Sequence, residues 1–165
     1  MMLRLSNIIE TAVVPACQFL GLDSDAARVM LLAIGLQESR FEARCQILKG
    51  GGRGPARGFW QFEKGGVLGV HRHRASHEPL RLLCHERDVS FDVAPIWTAL
   101  ECDDVLAAGV ARLLLYTDPK PLPKLGECEQ AWGYYTRNWR PGKPHRKTWN
   151  SLYAEALQEV GAQRH

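Results

Sequence analysis

No apolar run in this 165-residue chain reaches the roughly 18 to 20 residues that cross a bilayer as a helix. The longest, Val29 to Leu36, contains Gly35. The amino terminus reads Met1-Met2-Leu3-Arg4-Leu5-Ser6-Asn7-Ile8-Ile9-Glu10, where Glu10 interrupts what would be a signal core and no compact cleavage site follows. Synthesis in the cytoplasm without a Sec signal is therefore expected, and any export takes another route. Cys-x-x-Cys is absent, and the five cysteines (Cys17, Cys45, Cys84, Cys102, Cys128) are odd in number and widely spaced. That pattern fits reduced thiols rather than a disulfide framework. Cys17 and Cys84 lie in apolar patterns and read as small core residues. Alternating, strand-like runs are scarce, and there is no internal repeat or low-complexity segment.

What is present is the composition of one ordinary globular domain: 45% apolar and 24% charged residues over a length that can bury a core. The pattern is helical nearly throughout, so an all-α or mainly α fold of about seven helices in a single domain over residues 1–165 is expected. Ser6 or Asn7 caps a first helix running to about Leu20, kinked at Pro15 and ended by Gly21. Asp23 or Ser24 caps a second, in which Val29, Leu32, Ala33 and Leu36 recur at helical spacing. Residues 42–58, rich in glycine and arginine, read as a long loop, a kind of segment that is usually functional or mobile. Ser76 opens a short helix, and further helices are expected over Asp92–Glu101, Asp103–Tyr116, Glu127–Trp139 and Trp149–Val160. Asp118-Pro119 stops the fifth of these, and Pro119 to Pro123 forms an extended connector. Gly58-Phe59-Trp60-Gln61-Phe62 is either a short extended piece or the start of a helix.

Glu38 closes the long apolar stretch and precedes the Gly/Arg-rich loop. Apolar surroundings disfavour a carboxylate, and a helix C-terminus adds partial negative charge. Both raise the pKa of an acid placed there. A carboxylic acid kept protonated near neutral pH is what proton donation to a glycosidic oxygen requires.

Three segments stand in order along the chain: Glu38-Ser39-Arg40-Phe41, Gly58-Phe59-Trp60-Gln61-Phe62, and Ala131-Trp132-Gly133-Tyr134-Tyr135. Their order and spacing resemble the lysozyme-like superfamily, in its soluble lytic transglycosylase and goose-type lysozyme branch. That branch carries a helix-ending Glu-Ser, a Gly-x-x-Gln about twenty residues later, and an Ala-Tyr-Asn-like segment near the C-terminus. The third segment departs from the pattern, since Ala131-Trp132-Gly133 stands where Ala-Tyr-Asn is expected. Tyr134, Tyr135 or neither takes the tyrosine's place.

The resemblance implies cleavage of peptidoglycan between N-acetylmuramic acid and N-acetylglucosamine in a substrate cleft. It assigns Glu38 as the single acid/base, first protonating the leaving oxygen and then taking the proton of the muramoyl C6 hydroxyl to close a 1,6-anhydro ring. No cofactor or metal is implied. A hydrolytic lysozyme would need a water held by a second carboxylate. Glu42, Glu63 and Asp88 are available, but none sits in a second-acid motif. A catalytically inactive wall-binding module is the other alternative. Ser39, Gly58, Trp60, Gln61, Phe62, Tyr134 and Tyr135 are the expected substrate-binding residues. Gln61 offers donor and acceptor to N-acetyl groups, and the aromatic rings offer flat faces to sugars, with core packing as the competing role. Ser39 binds sugar, holds the glutamate, or simply ends the helix.

Two other readings are weaker. His71, His73, His77, Cys84 and His85 cluster, but their spacing matches no zinc pattern, and solvated imidazoles are expected. The basic stretches Arg53–Arg74 and Arg137–Lys147 suit a polyanion, yet the net charge is only +3 and no recognition motif for nucleic acid appears. The expected partner is bacterial peptidoglycan, reached in the periplasm by a monomeric phage-type enzyme that is either released by a holin or carried on the virion.

Overall fold

The apolar stretch that ends at Glu38 folds as α3 (Asp25–Ser39), in which Ala27 and every residue from Val29 to Leu36 are buried. A helix that is apolar on all sides must be enclosed, and α3 is packed by α9 (Arg146–Ala162), α7 (Asp104–Thr117) and the amino-terminal helical segment. Truncating Leu32 or Ile34 there to alanine is expected to cost about 2–5 kcal/mol. Ser24 rather than Asp23 is the cap: its Oγ accepts from Ala27 N at 3.1 Å.

This computed structural model describes residues 4–163. Met1, Met2 and Leu3 of the leader reading, and the last two residues of the expected 1–165 domain, lie outside the described residues. The first helix is one rod in three parts: α1 (Leu5–Ile8), a π-helical turn (Ile9–Val13) and α2 (Val14–Leu20). Arg4 holds the N-cap position, so Ser6 and Asn7 fall within the first turn and neither caps it. The expected kink at Pro15 is a widened turn. Pro15 has no N–H and its ring crowds the carbonyl four residues back, so the preceding turn opens and Val14 N donates to Ile9 O. Gly21, at φ 69°, ends the rod.

The segment read as a loop over 42–58 carries an antiparallel hairpin, β1 (Cys45–Ile47) and β2 (Arg53–Arg57), paired Cys45 with Arg57 and Ile47 with Arg53. An unexpected helix, α4 (Lys64–Arg72), follows and buries Val67 and Val70. Then come α5 (His77–Glu86), α6 (Val93–Ala99), α7, α8 (Cys128–Trp139) and α9, which begins three residues before the expected Trp149. Ser76 precedes α5, but its Oγ donates to Val70 O at 2.6 Å, tying α5 to α4 instead of capping. α7 packs on the π turn, α2, α4 and α5, while α6 packs on α4.

Among the described residues the architecture is thus mainly helical with one small two-stranded sheet. Among the described residues no helix is long and apolar enough to cross a membrane. Cys17 and Cys84 are buried, and burial pushes their thiols up to about 12 and about 11, as inert core groups require.

Candidate functional site

α3 presents Glu38 one residue before its end, and the chain then turns sharply. Arg40 and Phe41 both take left-handed conformations, at φ 58° and 55°, which cost about 1–2 kcal/mol each for residues with a Cβ. Packing and hydrogen bonds hold them there. Phe41 is buried and folds back over α3 into the space left by Gly35, where an added Cβ would lie 2.1 Å from Phe41 Cζ. Its ring meets Phe59 and Trp60 edge-on at 5.4 and 5.6 Å. Ser39 Oγ accepts from Phe41 N at 3.1 Å and donates to Phe59 O at 2.7 Å. Of the three roles open to Ser39, the geometry gives it a structural one, pinning the Gly58–Gln61 turn to the end of α3.

That turn is closed by reciprocal backbone hydrogen bonds between Arg57 and Phe62, at 2.9 and 3.0 Å. Gly58 is required twice over: its φ is 76°, and a Cβ would meet Leu100 O at 2.8 Å. Gln61, itself at φ 54°, donates from Nε2 to Gly58 O at 2.9 Å, and its side-chain oxygen accepts no hydrogen bond among the described residues. Trp60 is fully buried and its indole donates to Leu31 O at 2.8 Å, so it is a core residue with no face to offer a sugar. Phe62 is also buried, packed 5.7 Å from Trp139.

The two tyrosines separate cleanly, because neighbours on a helix point about 100° apart. Tyr134 is buried with its hydroxyl 2.9 Å from both Leu115 O and Lys120 O, which ties α8 to the end of α7 and the proline connector. It has no part in the Glu38 site. Tyr135 does: its hydroxyl donates to Glu38 Oε2. Tyr135 stacks on Trp149 at 5.3 Å and lies 6.0 Å from Trp139. Trp139 in turn donates from Nε1 to Trp60 O at 3.0 Å. α3, the Gly58–Gln61 turn and α8 are thereby locked together around one carboxyl group.

Burial raises the pKa of Glu38 above the ordinary carboxylate value, and the bond donated by Tyr135 offsets this in part. Glu38 takes part in none of the ion pairs found among the described residues. Burial, the charge of Glu38 and their hydrogen bond all push the Tyr135 hydroxyl upward, so it stays a neutral donor across the working pH range. The site therefore pairs a protonatable, poorly solvated carboxyl with a fixed donor on one oxygen.

Beside the turn lies a cavity of about 100 Å³ bordered by Gln61, Phe62, Glu63 and Trp139. It adjoins a groove of about 380 Å³ along the glycine face of α4 (Gly65, Gly66, Gly69), with His73, Arg137 and Arg140 on its other walls. Glu63 is exposed at the start of α4. Glu42 and Asp88 are exposed as well.

Two of the histidines are held against Phe91 rather than freely solvated, while His85 is exposed. His71 stacks on Phe91 at 4.1 Å and its Nε2 lies 3.1 Å from Phe91 O, while the His77 ring packs edge-on at 5.0 Å. Among the described residues no three His, Cys, Asp or Glu side chains gather as metal ligands. Trp139 is the site residue that the sequence reading missed. The available signal was its place four residues after Tyr135, on the same helix face.

Comparison of the chain with protein-family models, with curated proteins and with solved structures finds no match.

Proposed function

We propose that the chain is a lysozyme-like enzyme that cleaves peptidoglycan between N-acetylmuramic acid and N-acetylglucosamine, acting as a lytic transglycosylase with Glu38 as its acid and base. The observation that carries the reading is the hydrogen bond from Tyr135 to a half-buried Glu38, with the Gly58–Gln61 turn fastened beside it. The cavity at Gln61 and the α4 groove are proposed as part of the substrate cleft; Glu38 borders neither, and Trp139, which borders both, links them to it through Tyr135.

The chemistry follows from the two opposing effects on Glu38. Burial favours the protonated acid, which donates from its free oxygen to the leaving glycosidic oxygen. The donor on Oε2 stabilises the carboxylate that results. That carboxylate then accepts the proton of the muramoyl C6 hydroxyl as its oxygen attacks C1, closing the anhydro ring and restoring the acid. One carboxyl group suffices, and no water enters. Gln61 offers its carbonyl oxygen to an N-acetyl N–H, and Trp139 offers an aromatic edge to the glycan.

A hydrolytic outcome is the second reading, and Glu63 favours it because it borders the same cavity as Gln61 and would hold a water there. The proposed setting is a phage-type lysis or wall-penetration enzyme acting in the periplasm.

The test is release of soluble muropeptides from isolated Gram-negative sacculi. Wild type should release them and Glu38→Gln should not. Absence of release by wild type, with folding verified by circular dichroism, would overturn the reading in favour of a wall-binding module.

A further inference from the structure

Arg112 is a buried cation with most of its donors unused. It sits on α7 and is only 7% exposed. Among the described residues its single hydrogen bond runs from Nε to Leu22 O at 3.0 Å, and it belongs to none of the ion pairs there. Among the described residues no side-chain nitrogen or oxygen is at once buried and without a partner. The two terminal nitrogens of Arg112 therefore open onto space, and the space is a cavity of about 390 Å³ that Arg112 lines. Its other walls are Leu115, Tyr116, Asp118, Tyr134 and the Pro119–Leu122 strap, which includes Lys120.

The charges facing this cavity do not cancel. Asp118 is held by two bonds from Arg137 at 2.6 and 3.1 Å, by Asn138 Nδ2 at 2.9 Å and by Lys120 N at 3.0 Å, so its charge is already matched. Asp23 contributes a favourable field at Arg112, but its carboxylate is taken by Arg28 through bonds of 2.9 and 2.7 Å. Arg112 and Lys120 are left as two cationic residues lining one concavity. A buried charge without a counter-ion is costly. A guanidinium held by Nε alone presents its two terminal N–H groups as a fork, the geometry that takes two oxygens of one anion.

We propose that this cavity is an oxyanion-binding site that takes a phosphate group end-on between Arg112 and Lys120, beneath the proline strap. The site lies between α7 and the connector and is independent of Glu38. The phosphate arrives either as the free ion or as a monoester, whose ester group would leave along the adjoining cavity of about 370 Å³ on the other side of the strap, which shares Lys120, Pro121, Leu122 and Tyr134.

The experiment is thermal unfolding and calorimetric titration with inorganic phosphate and, separately, glycerol phosphate, at ionic strength held constant with chloride. Wild type should show saturable binding with a dissociation constant on the order of 1 mM and a rise in Tm of about 4 °C or more near saturation. Arg112→Met should fold at least as stably without phosphate and lose the response. Lys120→Gln, at an exposed position, should weaken binding at least about threefold, since it removes one charge-assisted contact. A response to both anions supports an ester-accepting site, and a response to inorganic phosphate alone supports a site for the free ion. Equal responses in wild type, Arg112→Met and Lys120→Gln, or no response in wild type to either anion, would overturn the proposal.

Discussion

Replacing Gly35 by alanine tests whether the geometry at the end of α3 rests on the backfolded Phe41. The added Cβ would lie 2.1 Å from Cζ, 2.4 Å from Cε1 and 3.0 Å from Cε2 of that ring. Ordinary carbon contacts are about 3.5–4.0 Å, so the ring must move by roughly 1.4 Å or more. Phe59 and Trp60 stand edge-on against it, and Phe41 is only 1% exposed, so no empty space receives it. Overpacking of this kind costs about 1–3 kcal/mol. Alanine recovers about 0.5–1 kcal/mol of helix propensity over glycine. The net expectation is a loss centred on about 1 kcal/mol, read as a lower denaturant midpoint at unchanged slope. The double variant with Phe41→Leu should recover part of the loss, giving a favourable coupling of at least about 1 kcal/mol in a double-mutant cycle. The displaced ring would also disturb the bond from Phe41 N to Ser39 Oγ, so muropeptide release should fall along with stability. If Gly35→Ala were as stable as wild type, or more so, the steric argument for this corner would be refuted.

Three further outcomes are expected. Tyr135→Phe removes the donor that stabilises the Glu38 carboxylate, a charge-assisted bond worth about 1.5–3 kcal/mol. Activity should therefore drop roughly 10- to 100-fold and the alkaline limb of the pH–rate profile should move to higher pH, whereas an unmoved limb would separate Tyr135 from Glu38. Glu38→Gln should be more stable than wild type near pH 7, by an amount on the order of 1 kcal/mol. Because the folded-state pKa is raised, the stability linked to its proton is present below the unfolded value and is lost as pH rises through the folded one. The two proteins should thus converge toward pH 4 in urea titrations, and a gap that widened in acid would contradict the assignment. At Asp118, burial works upward, but the donors from Arg137, Lys120 and Asn138 prevail and hold the carboxyl at about 2. Asp118→Asn should then cost about 1–2 kcal/mol at neutral pH, with the difference fading as wild type is acidified from pH 4 toward pH 2.

The helices that were legible in the sequence are those whose burial writes a period into the chain. α3 and α7 repeat apolar residues at helical spacing, and a serine or aspartate stands at the start of each. α4 was not legible, because Gly65, Gly66 and Gly69 are poor helix formers and only Val67 and Val70 mark its buried side. The hairpin escaped for a related reason: β1 is three residues long, too short for alternation to register, and the glycines of its turn make the whole segment read as loop.

Within the site, Glu38 was legible because it ends an apolar helix. That Trp60 and Tyr134 turn into the interior was not legible, because residue type cannot reveal which way a ring points. Their burial follows from bonds to Leu31 O, Leu115 O and Lys120 O, partners that only the tertiary fold brings close. The choice of Tyr135 over Tyr134 is likewise made by the packing of α8 against α9 and the end of α3.

The most direct test of the central claim is mass spectrometry of the muropeptides released from purified Gram-negative peptidoglycan by wild type and by Glu38→Gln. The account predicts 1,6-anhydro-muropeptides from wild type and none from the variant. Anhydro products from Glu38→Gln at the wild-type rate, or no glycan cleavage by the folded wild type, would contradict it.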